Sequence, residues 1–358
     1  MKKNLFFMAA ALAFCFSCSN DATVEENSVA KQPKEIAFKA IATPSTRAAV
    51  QTTTFPNQSM EVTAYQTDPN AENYFAKTTF SQDGSTGIWK GTTKRYWPLS
   101  AAKLNFFAVT GASVNVADIT IDNALNKDAL ANVNYKKATG GGSDPTGTYN
   151  NATQSDIMYA FGRGYVKQTG NAFYFNRDDA GADVPVTMVF KHAMSLIKFQ
   201  VKANDAASCA IQINNIKLNG ASYTGALALT SDATITANTG DPTITPTWTP
   251  DAAEDNVTVP NITNYPLTQT YAPADGGAEG TWASLIVVPN ATKGFDSFTV
   301  NYTYAGHTYD YTYTPSPVVP VAAGNVYTYQ LNFRLHEITI SPSVTLWNPV
   351  SPTELNIY

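Results

Sequence analysis

Phe298 to Tyr313 read FTVNYTYAGHTYDYTY. Ala305-Gly306 supply a two-residue turn, and folding the chain there sets Tyr304 opposite His307, Tyr302 opposite Tyr309, Val300 opposite Tyr311 and Phe298 opposite Tyr313. The apolar and aromatic residues of both arms then share one face, and that is what fixes a strand register. The stretch is a β-hairpin, and its neighbours repeat the pattern. SLIVVP (Ser284 to Pro289) and NVYTYQLNF (Asn325 to Phe333) read as strands, as does IQINNIKL (Ile211 to Leu218). In IQINNIKL the apolar phase slips between Ile213 and Ile216, which predicts a bulge.

Composition extends this reading to the whole chain. Of 358 residues, 44% are hydrophobic and only 14% charged. Thr, Tyr, Phe, Val and Ile are plentiful, and these suit pleated, half-buried surfaces. No helical periodicity is sustained from Val62 onward, and Gly/Pro clusters recur about every ten residues, as an all-β sandwich requires. The length allows two domains. VTMVFKHAMSLIKFQV (Val186 to Val201) reads as two adjoining strands, one closing the first half and one opening the second. Ala138 to Asn151 and Asn238 to Asp255 read as long loops.

The net charge is −5, without a basic cluster. This excludes nucleic acid as a natural partner and electrostatic attachment to anionic lipid. The N-terminus is an export signal: Lys2 and Lys3, then the apolar run Leu5 to Phe16, too short to span a bilayer. It ends FCFSCSND, where Cys18 follows the small residue Ser17 and suits lipoprotein processing; ordinary secretion is the alternative. Asn20 to Pro33 is a polar, acidic tether. Cys209 stands alone beyond the signal, so a disulfide within the mature chain is not expected, and it reads as a packing residue.

Signals of catalysis are weak. Ser195-Leu-Ile-Lys198 matches the Ser-x-x-Lys pattern, but on a strand residues three apart point to opposite faces. His192, His307 and His336 lack metal spacing and read as structural. Asp68-Pro-Asn70-Ala-Glu72 and Asp178, Asp179 and Asp183 read as solvated turns rather than calcium loops. Trp89, Trp97, Trp248 and Trp282 are core candidates, with a sugar-stacking platform as the alternative. No carboxylate pair stands out by spacing. No enzyme activity and no cofactor or metal is expected.

Two terminal stretches remain. In EIAFKAIATPSTRAAV (Glu35 to Val50), Ile36, Phe38 and Ala40 alternate as one face of a strand, followed by a small-residue linker around Arg47. In EITISPSVTLWN, Ile338, Ile340, Val344 and Leu346 share one parity, and Pro342 places that strand at an edge or breaks it.

Taken in order, several stretches resemble the fimbrillin family, the two-sandwich pilins of type V pili. They are EIAFKAIATPSTRA, MEVTAYQ, WKGTTKRYWPLSAAKLNFFAV, DIMYA (Asp156 to Ala160) with VPVTMVFKHAMSLIKFQV, AGNVYTYQLNF and ITISPSVTLWNPV. The resemblance implies two tandem transthyretin-like Greek-key β-sandwich domains. Residues 1–18 are then a lipoprotein signal peptide, and 19–47 a tether with a removable strand. Residues 48–193 form the N-terminal sandwich, and 194–358 the C-terminal sandwich with its donor strand. It further implies a lipid on Cys18 and a cut by a trypsin-like protease between Arg47 and Ala48. The strand carrying Ile36, Phe38 and Ala40 leaves a groove, filled by the strand carrying Ile338, Ile340, Val344 and Leu346 of another subunit. Such a head-to-tail contact builds a filament. Expected partners are other pilin subunits, the maturation protease and a host or bacterial surface receptor, with the membrane touched only through the precursor's lipid. The expected location is the outer membrane and the fimbrium on the cell surface. Other readings are a tip adhesin, since Pro349 and Pro352 interrupt the tail, a glycan-binding lipoprotein that keeps Cys18, and a hydrolase on a sandwich scaffold.

Overall fold

In the computed structural model of the chain, the described residues are 33–42, 59–83, 87–111, 119–121, 131–135, 156–232, 242–251, 255–259, 262, 264–273, 284–334 and 337–346. They belong to one compact unit, Lys34–Tyr358, apart from Pro33 at the end of the preceding segment. Strands dominate, and the one helical piece among the described residues is a 3-10 turn, Ala207–Ala210.

The first part of the chain builds β1 (Ala37–Ala42), β2 (Ser59–Asp68), β3 (Glu72–Gln82), β4 (Ile88–Gly91) and β5 (Ala102–Gly111). Two short strands follow, β6 (Ile119–Ile121) and β7 (Ala131–Tyr135), and then β8 (Ile157–Thr169), β9 (Ala172–Phe175) and β10 (Val186–His192). All but β6 and β7 form one sheet in the order β10-β1-β4-β3-β2-β5-β8-β9. Because β10 also pairs β8, the sheet closes into a ring, with β9 left outside as an arm of β8. Strand alternation fills the ring with Met60, Val62, Phe80, Trp89, Phe106, Met188 and Phe190, all buried. The ring is tight where β8 passes β10. A Cβ on Gly162 would stand 2.3 Å from Met188 Sδ, and one on Gly164 would stand 2.3 Å from the Trp97 ring. Only glycine permits that approach.

The second part builds β11 (Ser195–Ala203), β12 (Gln212–Ala221), β13 (Gly225–Ser231), β14 (Ile244–Pro250), β15 (Asp255–Thr258) and β16 (Tyr265–Pro266). It continues with β17 (Ala272–Pro273), β18 (Ser284–Val287), β19 (Ser297–Tyr304), β20 (His307–Tyr313), β21 (Asn325–Arg334) and β22 (Glu337–Leu346). One sheet runs β17-β11-β21-β22, with β18 also on β11; another runs β15-β12-β19-β20, with β16 also on β12. They share a core of Phe199, Ile213, Leu218, Phe298, Val300, Leu331 and Phe333. The β19–β20 register is the one read from the sequence, Tyr304 opposite His307 through Phe298 opposite Tyr313. Both turn residues are left-handed, Ala305 at φ 51° and Gly306 at φ 79°. The bulge in β12 falls between Ile213 and Asn215. There the Asn214 amide donates to Asn301 Oδ1 at 2.7 Å and Thr303 Oγ1 at 2.9 Å.

A fourth sheet, β14-β13-β7-β6, corrects the loop expected over Asn238 to Asp255. Ile244–Pro250 alternates half-buried Ile, Pro and Trp with exposed Thr, a period-two pattern hidden by its prolines. Proline is tolerated there because β14 is the sheet's edge. The Ala138 to Asn151 loop lies outside the described residues. VTMVFKHAMSLIKFQV forms two strands in different sheets, so the chain changes sheet at Ala193-Met194, both buried. β7 pairs β13 across that point.

Candidate functional site

β1 sits inside the ring with a partner on each side. It runs parallel to β10, from Phe38 opposite Val186 to Ala42 opposite Phe190. It runs antiparallel to β4, from Ala37 opposite Lys90 to Lys39 opposite Ile88. The alternation of Ile36, Phe38 and Ala40 aims them into the ring; Ile36 and Phe38 are fully buried, and the half-buried Ala40 packs on the same core. The Phe38 ring meets Phe80 at 4.8 Å and Phe106 at 5.1 Å, both edge-on. Just upstream, Ile36 N donates to Arg95 O at 2.7 Å, Trp97 N donates to Lys34 O at 2.8 Å, and Lys34 pairs with Asp183 at 3.6 Å. A cleft of about 380 Å³ opens at this end of β1, between Glu35, Ala37, Ile88, Trp97, Phe175 and Pro185. Cys18, Arg47 and Ala48 lie outside the described residues.

β22 lies at the other end of the chain and at the edge of its sheet, pairing only β21 among the described residues. Pro342 sits opposite Tyr329 without breaking the strand, as an edge allows. Ile338 is buried and Ile340 packs against the sandwich core. Further along, the apolar face comes out of cover: Val344 is 54% exposed and Leu346 73%. The β1 residues Ile36, Phe38 and Ala40 and the β22 residues Ile338 and Ile340 thus belong to separate cores.

Other candidates have structural occupations. Trp89 and Trp97 are buried in the ring, and Trp248 is half-buried with its Nε1 donating to Ala193 O at 2.6 Å. These three are packing residues rather than an exposed platform, while Trp282 and His336 lie outside the described residues. Ser195 is buried, with Oγ donating to Ala322 O at 2.6 Å, and Lys198 is buried on the same strand. Asp178 Oδ1 accepts from Ala182 N at 2.8 Å and Asp183 Oδ1 from Phe175 N at 3.2 Å, which makes turns of them. Asp68 pairs with Lys103 at 3.5 Å, and Glu72 accepts from Gln66 Nε2 at 3.0 Å. No cluster of metal-ligating side chains occurs among the described residues. Cys209 is half-buried against the sandwich core.

Sequence reasoning treated His192 as a lone strand histidine and did not find its partner. His192 Nδ1 lies 2.5 Å from Asp156 Oδ2, with both side chains buried. Asp156 opens DIMYA and His192 ends β10, so the two stretches meet at the ring's closing seam, where His192 stands opposite Met158.

The family model described as fimbrillin-like matches residues 46–347. The chain belongs to the fimbrillin-like family. Among solved structures, a fimbrial protein from Bacteroides vulgatus aligns with a TM-score of 0.48 at 15% identity, covering 88% of this chain and 99% of its own. A fimbrial assembly protein from Parabacteroides distasonis aligns at 0.37 and 10%, covering 88% and 99%. The C-terminally truncated tip fimbrial protein Mfa3 from Porphyromonas gingivalis aligns at 0.38 and 12%, covering 87% and 100%. No curated protein sequence matches the chain.

Proposed function

We propose that this fimbrillin-like chain is a structural subunit of a surface fimbrium, exported as a lipoprotein on Cys18, cut after Arg47 and polymerised by strand exchange. The observation that carries the reading is the place of β1, a short strand that completes a ring between β10 and β4 and ends five residues before Arg47 (47 − 42 = 5). Removing it uncovers the Phe80 and Phe106 rings that Phe38 covers, and leaves unpaired backbone on two flanking strands. Such a slot invites an added strand.

In this reading the incoming strand is β22 of a second subunit. Its exposed Val344 and Leu346 support a role in giving a strand: burying two such side chains is worth about 3–6 kcal/mol. A subunit that donates fits a fibre shaft better than a tip. The division into sandwiches 48–193 and 194–358, the outer-membrane location, the maturation protease and a surface receptor belong to the same proposal.

The test is intact mass and N-terminal sequencing of material sheared from producing cells, beside an Arg47→Ala strain. The expected result is a chain starting at Ala48 in SDS-resistant ladders, absent from the variant. A lipidated monomer starting at Cys18 in both strains would overturn the proposal.

A further inference from the structure

β10 is the wall of the β1 slot, and its attachments are uneven. From Val186 to Phe190 its only strand partner among the described residues is β1. Beyond that stretch it is held at its two ends. At the start, Val184 N donates to Asn176 O at 3.0 Å and the Asn176 amide donates to Val184 O at 3.1 Å. At the finish, the seam with β8 spans only Lys191 opposite Tyr159 and His192 opposite Met158, followed by Ala193 N donating to Ile157 O at 2.8 Å. The buried bond between His192 and Asp156 lies on this seam.

Removal of β1 therefore creates a competitor to strand insertion. The strands flanking a missing strand are about 9.6 Å apart, twice the usual spacing. If β10 moved across to β4, the ring would heal with one strand fewer and its loose backbone groups would pair. Val186, Met188 and Phe190 pack in the core that β1 helps to fill, so part of their hold on the register of β10 is lost when Ile36 and Phe38 leave. The buried hydrogen-bonded pair does resist it: moving one partner by a strand spacing breaks the 2.5 Å contact and leaves buried polar groups without it.

We infer that Asp156 and His192 form a clamp that keeps β10 in place after β1 has left, so that the slot stays open for the next strand. The inference rests on the strand-exchange reading above. It makes His192 and Asp156 positioning residues for exchange, acting through β10 rather than through contact with the incoming strand. An ordinary core pair would support the intact and the strandless protein equally; a clamp matters most when β1 is gone.

The experiment uses the full chain with a site-specific protease sequence replacing residues 43–48, cut in solution, after which the N-terminal piece carrying β1 is released in urea and removed and the remainder is returned to buffer. A fluorescent peptide of residues 33–42, PKEIAFKAIA, is added in excess, and its capture is followed by anisotropy and intact mass. Three chains are compared: the parent, His192→Gln, and the double variant Asp156→Leu with His192→Phe, which removes both polar partners and keeps the site apolar. The double variant covers the case in which His192→Gln fails to fold. The expected result is that the double variant melts with the parent before cutting but holds the peptide about tenfold more weakly after it. Equal peptide capture by parent and double variant, or an equal loss of stability before and after cutting, overturns the clamp and leaves strand exchange standing. Failure of the cut parent to take up any peptide overturns the exchange reading and the clamp with it.

Discussion

Phe38 does more than any other side chain of β1 to hold that strand in the ring, because two edge-on aromatic contacts surround it and no solvent reaches it. Phe38→Ala should lower the stability of the uncut chain by about 3–5 kcal/mol, read from the urea midpoint. Gly164 shows the opposite constraint. Its missing side chain admits the Trp97 ring, so Gly164→Ala should cost about 1–3 kcal/mol through overpacking, measured the same way. Ala305 is strained in a different manner: φ of 51° is poor for alanine and good for asparagine in an Asn-Gly turn. Ala305→Asn should therefore raise the urea midpoint, by about 0.5–1 kcal/mol in stability. Each residue was visible in the sequence as a type, but the ring that surrounds Phe38 and the tryptophan beside Gly164 come from distant segments.

β1 and β22 have similar alternating patterns and opposite environments. The first is paired on both sides, while the second is an edge whose outer half carries apolar side chains into solvent. Val344→Lys and Leu346→Lys should leave the isolated subunit within about 0.5 kcal/mol of the parent by thermal melting. The same changes should abolish SDS-resistant ladders if β22 fills a neighbour's slot. Ile338→Lys differs, since it buries a charge and should destabilise the subunit itself. Retained ladders in the Val344→Lys, Leu346→Lys double variant would remove this half of β22 from the assembly contact. Strand existence at both termini was legible from parity. Which side chains lie under cover was not, because that depends on how far the facing sheet extends.

Over the whole molecule, buried tyrosines tie stability to alkaline pH. Burial pushes Tyr159 from the ordinary 10.0 up to about 12. Burial, with Tyr313 and Tyr327 close by, raises Tyr329 as well. Because the folded values lie above the ordinary one, the folded state favours the neutral phenols. That contribution is complete below pH 10 and is lost as pH rises towards 12. The two tyrosines sit in different cores, so the loss should register across the molecule. In an alkaline titration, a late fraction of tyrosinate absorbance should rise together with the loss of near-ultraviolet circular dichroism. Smooth titration of every tyrosine near the ordinary value, with the fold retained, would contradict the burial of these two.

The sequence by itself determined the strand class, the β19–β20 register, the bulge in β12, the restriction of Pro342 to an edge or a break, and the inward face of β1. All of these depend on period-two alternation and local turn chemistry, which operate over a few residues. Family resemblance added the roles proposed for the two termini. Tertiary structure alone decided that the first sheet closes through β10 and β8, that β1 lies within the ring rather than at a border, and that β14 is a strand despite its prolines. It also decided that His192 meets Asp156, thirty-six residues away in the chain. Closure and such pairings depend on which strands the chain brings side by side, and neither periodicity nor propensity encodes that choice.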